Sequence, residues 1–144
     1  MKKPGLISAV SIIFMIILSL SVTSPAYAIE VTPLAYDFGE VEIGTSSSTI
    51  ITIVNYTGHS HIITAIDFAE GGSTDFSLAT DLEFPMVLES LGLLEVEVVF
   101  SPSVASPLTA GLEIISIDSG LKIVVVSLQG GTDHPPSGAC APSP

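Results

Sequence analysis

Apolar and polar residues alternate in short runs through most of the chain, with the two-residue period of a β-strand. The alternation is plainest in residues 94–100, where three apolar side chains are predicted to face inward and two glutamates outward. Residues 47–55 show it again, with many β-branched side chains and an asparagine at the end. Beyond the first 28 residues no segment keeps a 3.6-residue apolar period, so the pattern predicts strands and no helices.

Turn signals rich in glycine, proline, serine and aspartate separate the runs at close intervals. The predicted strands cover residues 29–33, 34–43, 47–55, 61–68, 75–78, 94–100, 110–117 and 121–128. Residues 86–88 are instead interpreted as the approach to a turn at Leu91 and Gly92. Because Pro33 cannot donate to a ladder, the first strand is predicted to lie at a sheet edge or to break at Pro33. Seven to eight short strands at this spacing predict an all-β, immunoglobulin-like sandwich.

The inward positions of these strands define a predicted core. Its residues are Phe38, Val41, Ile51, Ile53, Phe76, Val96, Val98, Phe100, Leu112, Ile114 and Leu128. Replacing Phe100 or Ile53 by alanine is expected to cost about 2–5 kcal/mol. A loss of that size is enough to unfold a domain of ordinary stability.

The first 28 residues have the pattern of a secretory signal peptide. Two lysines precede an apolar run over residues 6–22, and Ala26-Tyr27-Ala28 places small residues at the −3 and −1 positions of a cleavage site. A retained membrane anchor is the alternative, since the run is close to the length that spans a bilayer. Ile29 follows the cut, which argues against a bacterial lipoprotein. The pattern predicts export to the periplasm, the cell surface or the extracellular space.

The chain is acidic, with a formal net charge of −12. Cleavage after Ala28 removes two lysines and leaves 15 acidic residues with Lys122 as the one lysine or arginine, which makes the formal charge −14. Such a surface repels phosphate backbones and anionic lipids, so nucleic-acid binding and peripheral membrane docking are disfavoured. The expected partner is another envelope or extracellular protein.

The carboxyl-terminal residues carry no strand pattern and little apolar surface. The predicted organisation is therefore a signal peptide over 1–28, a sandwich over 29–130 and a disordered, proline- and glycine-rich tail over 131–144. The single cysteine, Cys140, falls in this tail, so no internal disulfide can form.

An ordered set of residues along the sandwich resembles the ASH-type (abnormal spindle/hydin) immunoglobulin-like domain, called a choice-of-anchor D domain in exported bacterial proteins. The set runs Phe38-Gly39-x-Val41-x-x-Gly44, Ile51-x-Ile53-x-Asn55, Phe76, Val96-x-Val98-x-Phe100-x-Pro102 and Leu128-x-Gly130. The resemblance implies a sandwich related to major sperm protein and pilus-chaperone domains, with a non-enzymatic binding or scaffolding role. Relatives usually carry glycine in the turn before the 94–100 strand, where this chain has Leu91. Exported relatives usually end in a sorting or anchoring segment, and no such pattern is expected in residues 131–144, so the resemblance alone does not imply surface attachment.

His59 and His61 are the one pair that suggests a metal site, because residues two apart on a strand share a face. Two imidazoles can begin a Zn²⁺ or Cu²⁺ site, but no third ligand lies nearby in the sequence. His61 also occupies a position where relatives usually have an apolar residue, which favours a neutral, partly buried ring. No metal site and no cofactor are therefore predicted, with His59 and His61 kept as weak candidates.

No catalytic constellation is found, and no catalytic residues are predicted. Asp37-Phe38-Gly39 matches a kinase tripeptide without any of its partner motifs. Asn55-Tyr56-Thr57 matches a glycosylation sequon, but a side chain that hydrogen-bonds the turn explains Asn55 better. The favoured function is a non-catalytic exported module for protein interaction or envelope structure that binds through a sheet edge. The alternative is a periplasmic metal-binding protein that uses His59 and His61.

Overall fold

The computed structural model describes residues 29–131, which fold into two β-sheets. The predicted signal peptide, Cys140 and the tail from residue 132 lie outside the described residues. Within 29–131 there is no helix that is long and apolar enough to cross a membrane. The strands are β1 (Ile29–Thr32), β2 (Ala35–Asp37), β3 (Ser47–Asn55), β4 (His61–Phe68), β5 (Phe76–Leu78), β6 (Met86–Leu88), β7 (Leu93–Phe100), β8 (Leu108–Ile117) and β9 (Leu121–Gly130).

The sheets are a four-stranded one in the order β1-β3-β7-β5 and a five-stranded one in the order β2-β9-β8-β4-β6. Neighbouring strands are antiparallel except β2, which runs parallel to β9. The all-β sandwich class predicted from the alternation is thus confirmed. The structure places β1 at the edge of the four-stranded sheet, as Pro33 predicted.

The strand count is a correction, because the described residues contain nine strands and not seven or eight. The additional strand is β6, which was interpreted as the approach to a turn. Its three residues are too few to show an alternation, and what makes them a strand is antiparallel pairing with β4, with Leu88 opposite His61. Because the pairing joins two segments that are distant in the sequence, the residues of β6 alone do not reveal that they form a strand.

The core lies between the two sheets. All of the predicted core residues are buried except Phe38, which is half-buried and packs against the cluster. The Phe38 ring centroid is 5.4 Å from that of Phe100, and the Phe76 and Phe100 rings stack with centroids 4.6 Å apart. These aromatic contacts join the loop after β2 to β5 and β7, so segments that are distant in the sequence meet in one core.

The ordered chain continues past the predicted start of the tail. Gly130 is the last residue of β9 and is buried opposite Leu108. Only glycine fits at this position, because a Cβ there would lie 2.8 Å from Cε1 of Phe100. Gly131, predicted to begin the disordered tail, instead donates its N–H to the carbonyl of Gly39 at 3.0 Å.

The turn between β6 and β7 contains Leu91, where the resemblance to the ASH-type domain implied a glycine. Leu91 adopts the left-handed conformation with φ of 62°, and its side chain is exposed. Its N–H donates to the carbonyl of Asn55 at 2.7 Å, and the N–H of Asn55 donates to the carbonyl of Gly92 at 3.0 Å. The two backbone hydrogen bonds hold the turn against β3 despite the strained residue.

Candidate functional site

Two histidines and an aspartate meet at one end of the five-stranded sheet. His59 precedes β4, His61 begins it, and Asp118 follows β8 in the turn to β9. In the β4–β8 ladder Ile62 lies opposite Ile117, so the next step along the ladder brings His61 and Asp118 together. Nε2 of His59 donates to Oδ1 of Asp118 at 2.9 Å, and Nε2 of His61 lies 3.8 Å from Oδ2 of Asp118.

The three side chains differ sharply in exposure. The His59 side chain is 53% exposed and that of Asp118 is 21% exposed, whereas His61 is fully buried. The two imidazole rings stack with centroids 5.3 Å apart and planes 18° from parallel. Neither ring nitrogen of His61 has a hydrogen-bond partner. This buried ring is therefore a polar group that the surrounding protein leaves unsatisfied.

The ionisation of the cluster follows from these environments. Burial lowers the pKa of His61, and the opposing effect of the Asp118 carboxylate does not reverse the shift. The hydrogen bond from His59 lowers the pKa of Asp118. At neutral pH the arrangement is thus a neutral buried imidazole beside an ionised carboxylate.

Asn55 fixes the loop that carries His59. The two hydrogens of its buried Nδ2 are shared among three carbonyls, those of His59 and Leu88, each at 2.8 Å, and that of Glu89 at 3.0 Å. Its Oδ1 accepts the N–H of Thr57 at 3.0 Å and the Thr57 hydroxyl. The His59 carbonyl lies 2.8 Å from the same Thr57 hydroxyl and is the alternative acceptor for its single hydrogen. The interpretation of Asn55 as a residue that hydrogen-bonds the turn is confirmed.

The outer face of the five-stranded sheet carries a second feature, a set of exposed aliphatic side chains in adjacent cross-strand positions. Val87, Ile62, Ile117 and Leu121 form one row across β6, β4, β8 and β9. The half-buried Ile115 lies opposite Ile123 in the next row. The apolar patch consists of Ile62, Val87, Ile117, Leu121, Ile123 and Val125, which are 42–66% exposed.

An acidic pair borders the apolar patch on the same face. Asp67 of β4 lies directly opposite Glu113 of β8, and Glu113 lies opposite Val125 of β9. Like charges in opposite positions repel each other across a ladder. The patch therefore adjoins a site of concentrated negative charge.

Sequence reasoning identified the two histidines but missed both Asp118 and the apolar patch. Asp118 is 59 residues from His59, and their contact depends on which strands pair. The signal for the patch was present, since residues 123–126 are apolar at outward as well as inward positions. A strand that is apolar on both faces is expected where both faces are covered.

No protein-family model matches the sequence, and no curated protein matches it. Solved structures do match. An ASH/PapD-like domain of human CEP192 superposes with a TM-score of 0.56 at 16% identity, over 72% of this chain and 84% of that one. The periplasmic chaperone SfaE superposes with a TM-score of 0.55 at 11% identity, over 80% of this chain and 61% of the chaperone. The fold is thus that of an ASH-type, PapD-like immunoglobulin-like domain, as the resemblance implied.

A protease is also among the structural neighbours. VesB of Vibrio cholerae superposes with a TM-score of 0.62 at 20% identity, over 72% of this chain and 32% of VesB. The chain therefore spans about a third of the length of that protein. At this identity the match concerns the fold alone and transfers no activity.

Proposed function

We propose that this protein is an exported, non-catalytic β-sandwich module that binds another protein through the apolar patch. The amino-terminal pattern of residues 1–28 supports export, as does the likeness to a periplasmic chaperone. The ASH-type fold supports a binding role. The single observation that carries the proposal is the continuous apolar patch on the outer face of the five-stranded sheet.

The sheet edges are weaker binding sites than the sequence suggested. The edge strands β1, β2, β5 and β6 are three or four residues long. A strand added to such an edge gains only a few backbone hydrogen bonds, and short edges are one means by which proteins avoid pairing. The apolar patch offers a broader contact, and contiguous exposed apolar surface is characteristic of interaction sites.

The chemistry around the apolar patch indicates what the partner presents. Asp67 and Glu113 place two carboxylates beside Val125. A lysine or arginine from a partner would relieve their mutual repulsion and gain charge-assisted hydrogen bonds. The expected partner is therefore a protein surface with aliphatic or aromatic side chains at its centre and basic residues at its rim. A second copy of this strongly acidic chain fits that description poorly.

The test begins with site-specific photocrosslinking in the native envelope, using a chain with a photoreactive residue at position 123 or, as a control, at position 50. Ile50 is 44% exposed on β3 of the other sheet, which makes it a matched position for Ile123 at 53%. The partner captured at position 123 is then purified. Its affinity is measured by calorimetry for the wild type, for Ile117→Thr/Ile123→Thr and for Ile50→Thr.

We expect the double variant to bind at least about ten-fold more weakly, because hydrophobic interface centres supply most binding energy. Ile50→Thr should bind as the wild type does. Equal affinity of all three proteins would overturn the proposal. So would crosslinking at position 123 only to a second copy of this chain, accompanied by a dimer in sedimentation analysis.

A further inference from the structure

We infer that His59, His61 and Asp118 form a binding site for one divalent d-block cation, for which Zn²⁺ is the best fit. One donor atom from each of the three residues lies within 4.8 Å of the other two. Two elements that are distant in the sequence contribute them, the start of β4 and the β8–β9 turn. This site is independent of the apolar patch and would add a second property to the proposed interaction module.

The distances suit tetrahedral coordination. Two ligands that are each about 2.0–2.1 Å from a zinc ion, at a tetrahedral angle, lie about 3.4 Å apart. The separation from His59 Nε2 to Asp118 Oδ1 is 2.9 Å and that from His61 Nε2 to Asp118 Oδ2 is 3.8 Å, on either side of that value. The nearly parallel rings require one of them to turn so that both lone pairs converge. His59 can do so because its side chain is half exposed.

The state of His61 is the observation that points to a ligand. Its side chain is fully buried, and both of its ring nitrogens lack a hydrogen-bond partner. Leaving a buried polar group unsatisfied is costly, and native proteins rarely do so. A metal ion bound to Nε2 would satisfy that nitrogen with a stronger interaction than a hydrogen bond. The exposure of His59 and Asp118 would leave a fourth coordination position open to solvent, as in three-ligand zinc sites.

The backbone around the ligands is already held in place. The His59 carbonyl accepts a hydrogen bond from Asn55 Nδ2 at 2.8 Å, which anchors the loop that carries the ring. In the β8–β9 turn, the backbone N–H of Asp118 donates to the Gly120 carbonyl at 3.3 Å. Metal sites depend on this kind of support to orient their ligands.

The donor set and its charge select the class of ion. Two imidazoles and one carboxylate suit Zn²⁺ and Cu²⁺, whereas Ca²⁺ and Mg²⁺ prefer oxygen ligands only. Only one of the three ligands, Asp118, is anionic. Imidazole coordination must therefore provide much of the affinity. Because Ca²⁺ and Mg²⁺ bind imidazole poorly, they are not the preferred cations of this site.

The test is calorimetric titration with Zn²⁺ of a chelator-treated, tag-free chain that begins at Ile29 and so contains every strand of both sheets. We expect one Zn²⁺ per chain. His59→Ala and Asp118→Asn should each weaken binding at least about ten-fold, since even changes outside the ligand set have effects of that size. The control is the double variant His134→Ala/Cys140→Ser, which removes the imidazole and the thiol of residues 132–144 and should bind as the wild type does.

A second measurement counts the nitrogen ligands. Electron paramagnetic resonance of the Cu²⁺-loaded protein should show coupling to two imidazoles, and to one in either His59→Ala or His61→Leu. Far-ultraviolet circular dichroism confirms that each variant retains its sheet structure. The inference is overturned if Zn²⁺ does not bind at millimolar concentration. It is equally overturned if His59→Ala and Asp118→Asn bind normally, or if the tail variant alone abolishes binding.

Discussion

Nε2 of the buried His61 ring faces Oδ2 of Asp118 across 3.8 Å, which is too far for a hydrogen bond. The other carboxylate oxygen, Oδ1, instead accepts a hydrogen bond from Nε2 of His59 at 2.9 Å. The sandwich therefore keeps an unsatisfied imidazole in its interior, next to a carboxylate that is bound to a different histidine. In the absence of a metal ion this arrangement should weaken the fold.

The first prediction concerns His61→Leu in the presence of a chelator. Leucine removes the unsatisfied nitrogens and replaces the ring with an apolar side chain, so we expect the free energy of unfolding to rise by about 1 kcal/mol. Urea unfolding followed by circular dichroism measures the change. The matched control is His59→Leu, where the side chain is half exposed and no such gain is expected. A loss of more than about 2 kcal/mol in His61→Leu would show that the apo protein satisfies the ring.

The second prediction concerns Asn55→Ala. The asparagine donates to three carbonyls and accepts from Thr57 while fully buried, so its removal leaves several polar groups unsatisfied at once. We expect a loss of about 2–4 kcal/mol, because each buried unsatisfied group costs about 1–3 kcal/mol and part of that cost is relieved by water. The urea concentration at the midpoint of unfolding measures this loss of stability.

Ser48→Ala serves as the control for Asn55→Ala. Ser48 is exposed on the same strand, β3, and a surface change of this kind is usually within about 0.5 kcal/mol. If Asn55→Ala unfolded at the same urea concentration as Ser48→Ala, the hydrogen-bond network around Asn55 would not support the fold as described.

The alternation of apolar residues was sufficient to predict most of the fold. The bounds of β3 and β4 follow from it directly, because a two-residue period changes only at turn residues that are visible in the sequence. The inward positions Val96, Val98 and Phe100 follow for the same reason. By contrast, β6 was missed, since its three residues become a strand only by pairing with β4.

The candidate metal site was likewise predicted only in part from the sequence. The i, i+2 spacing of His59 and His61 was sufficient to suggest a shared face, but not to find a third ligand. Asp118 joins them because β4 pairs with β8 in the register that sets Ile62 opposite Ile117. Strand order and register depend on contacts between distant segments, which the periodicity of a single sequence does not contain.

The third prediction concerns Leu91→Gly. Leu91 holds φ of 62°, a conformation that costs a side-chain-bearing residue about 1–2 kcal/mol and that glycine adopts readily. Its side chain is 74% exposed, so its removal sacrifices little packing. We expect a net gain of about 1 kcal/mol after the added flexibility of glycine in the unfolded chain is subtracted. Differential scanning calorimetry should show a higher midpoint.

Leu121→Gly is the matched control for Leu91→Gly. Leu121 is 66% exposed and lies in β9 without a positive φ, so the same substitution there should destabilise the protein. If both variants melted at a lower temperature than the wild type, strain at Leu91 would not be a source of instability.

The fourth prediction is a pH dependence that arises from Asp37. Gln129 Nε2 donates to Oδ2 of Asp37 at 2.7 Å, and the N–H of Gly39 donates to Oδ1 at 2.8 Å. These hydrogen bonds, that of Gln129 foremost, lower the pKa of Asp37 below its ordinary value of 3.8. A lowered pKa in the folded state means that the stabilisation is present above about pH 4 and is lost as the pH falls through the folded pKa.

We therefore expect Asp37→Asn to be less stable than the wild type at pH 6, and the difference to shrink as the pH falls below about 4 and through the folded-state pKa of Asp37. Because Asp37 is exposed, the effect is small, and urea midpoints at closely spaced pH values are needed to resolve it. Asp81→Asn, in an exposed loop of the same acidic chain, gives the effect of simply removing one carboxylate. If Asp37→Asn were as stable as the wild type at pH 6, or no less stable than Asp81→Asn, the ionised carboxylate would not hold β2 against β9.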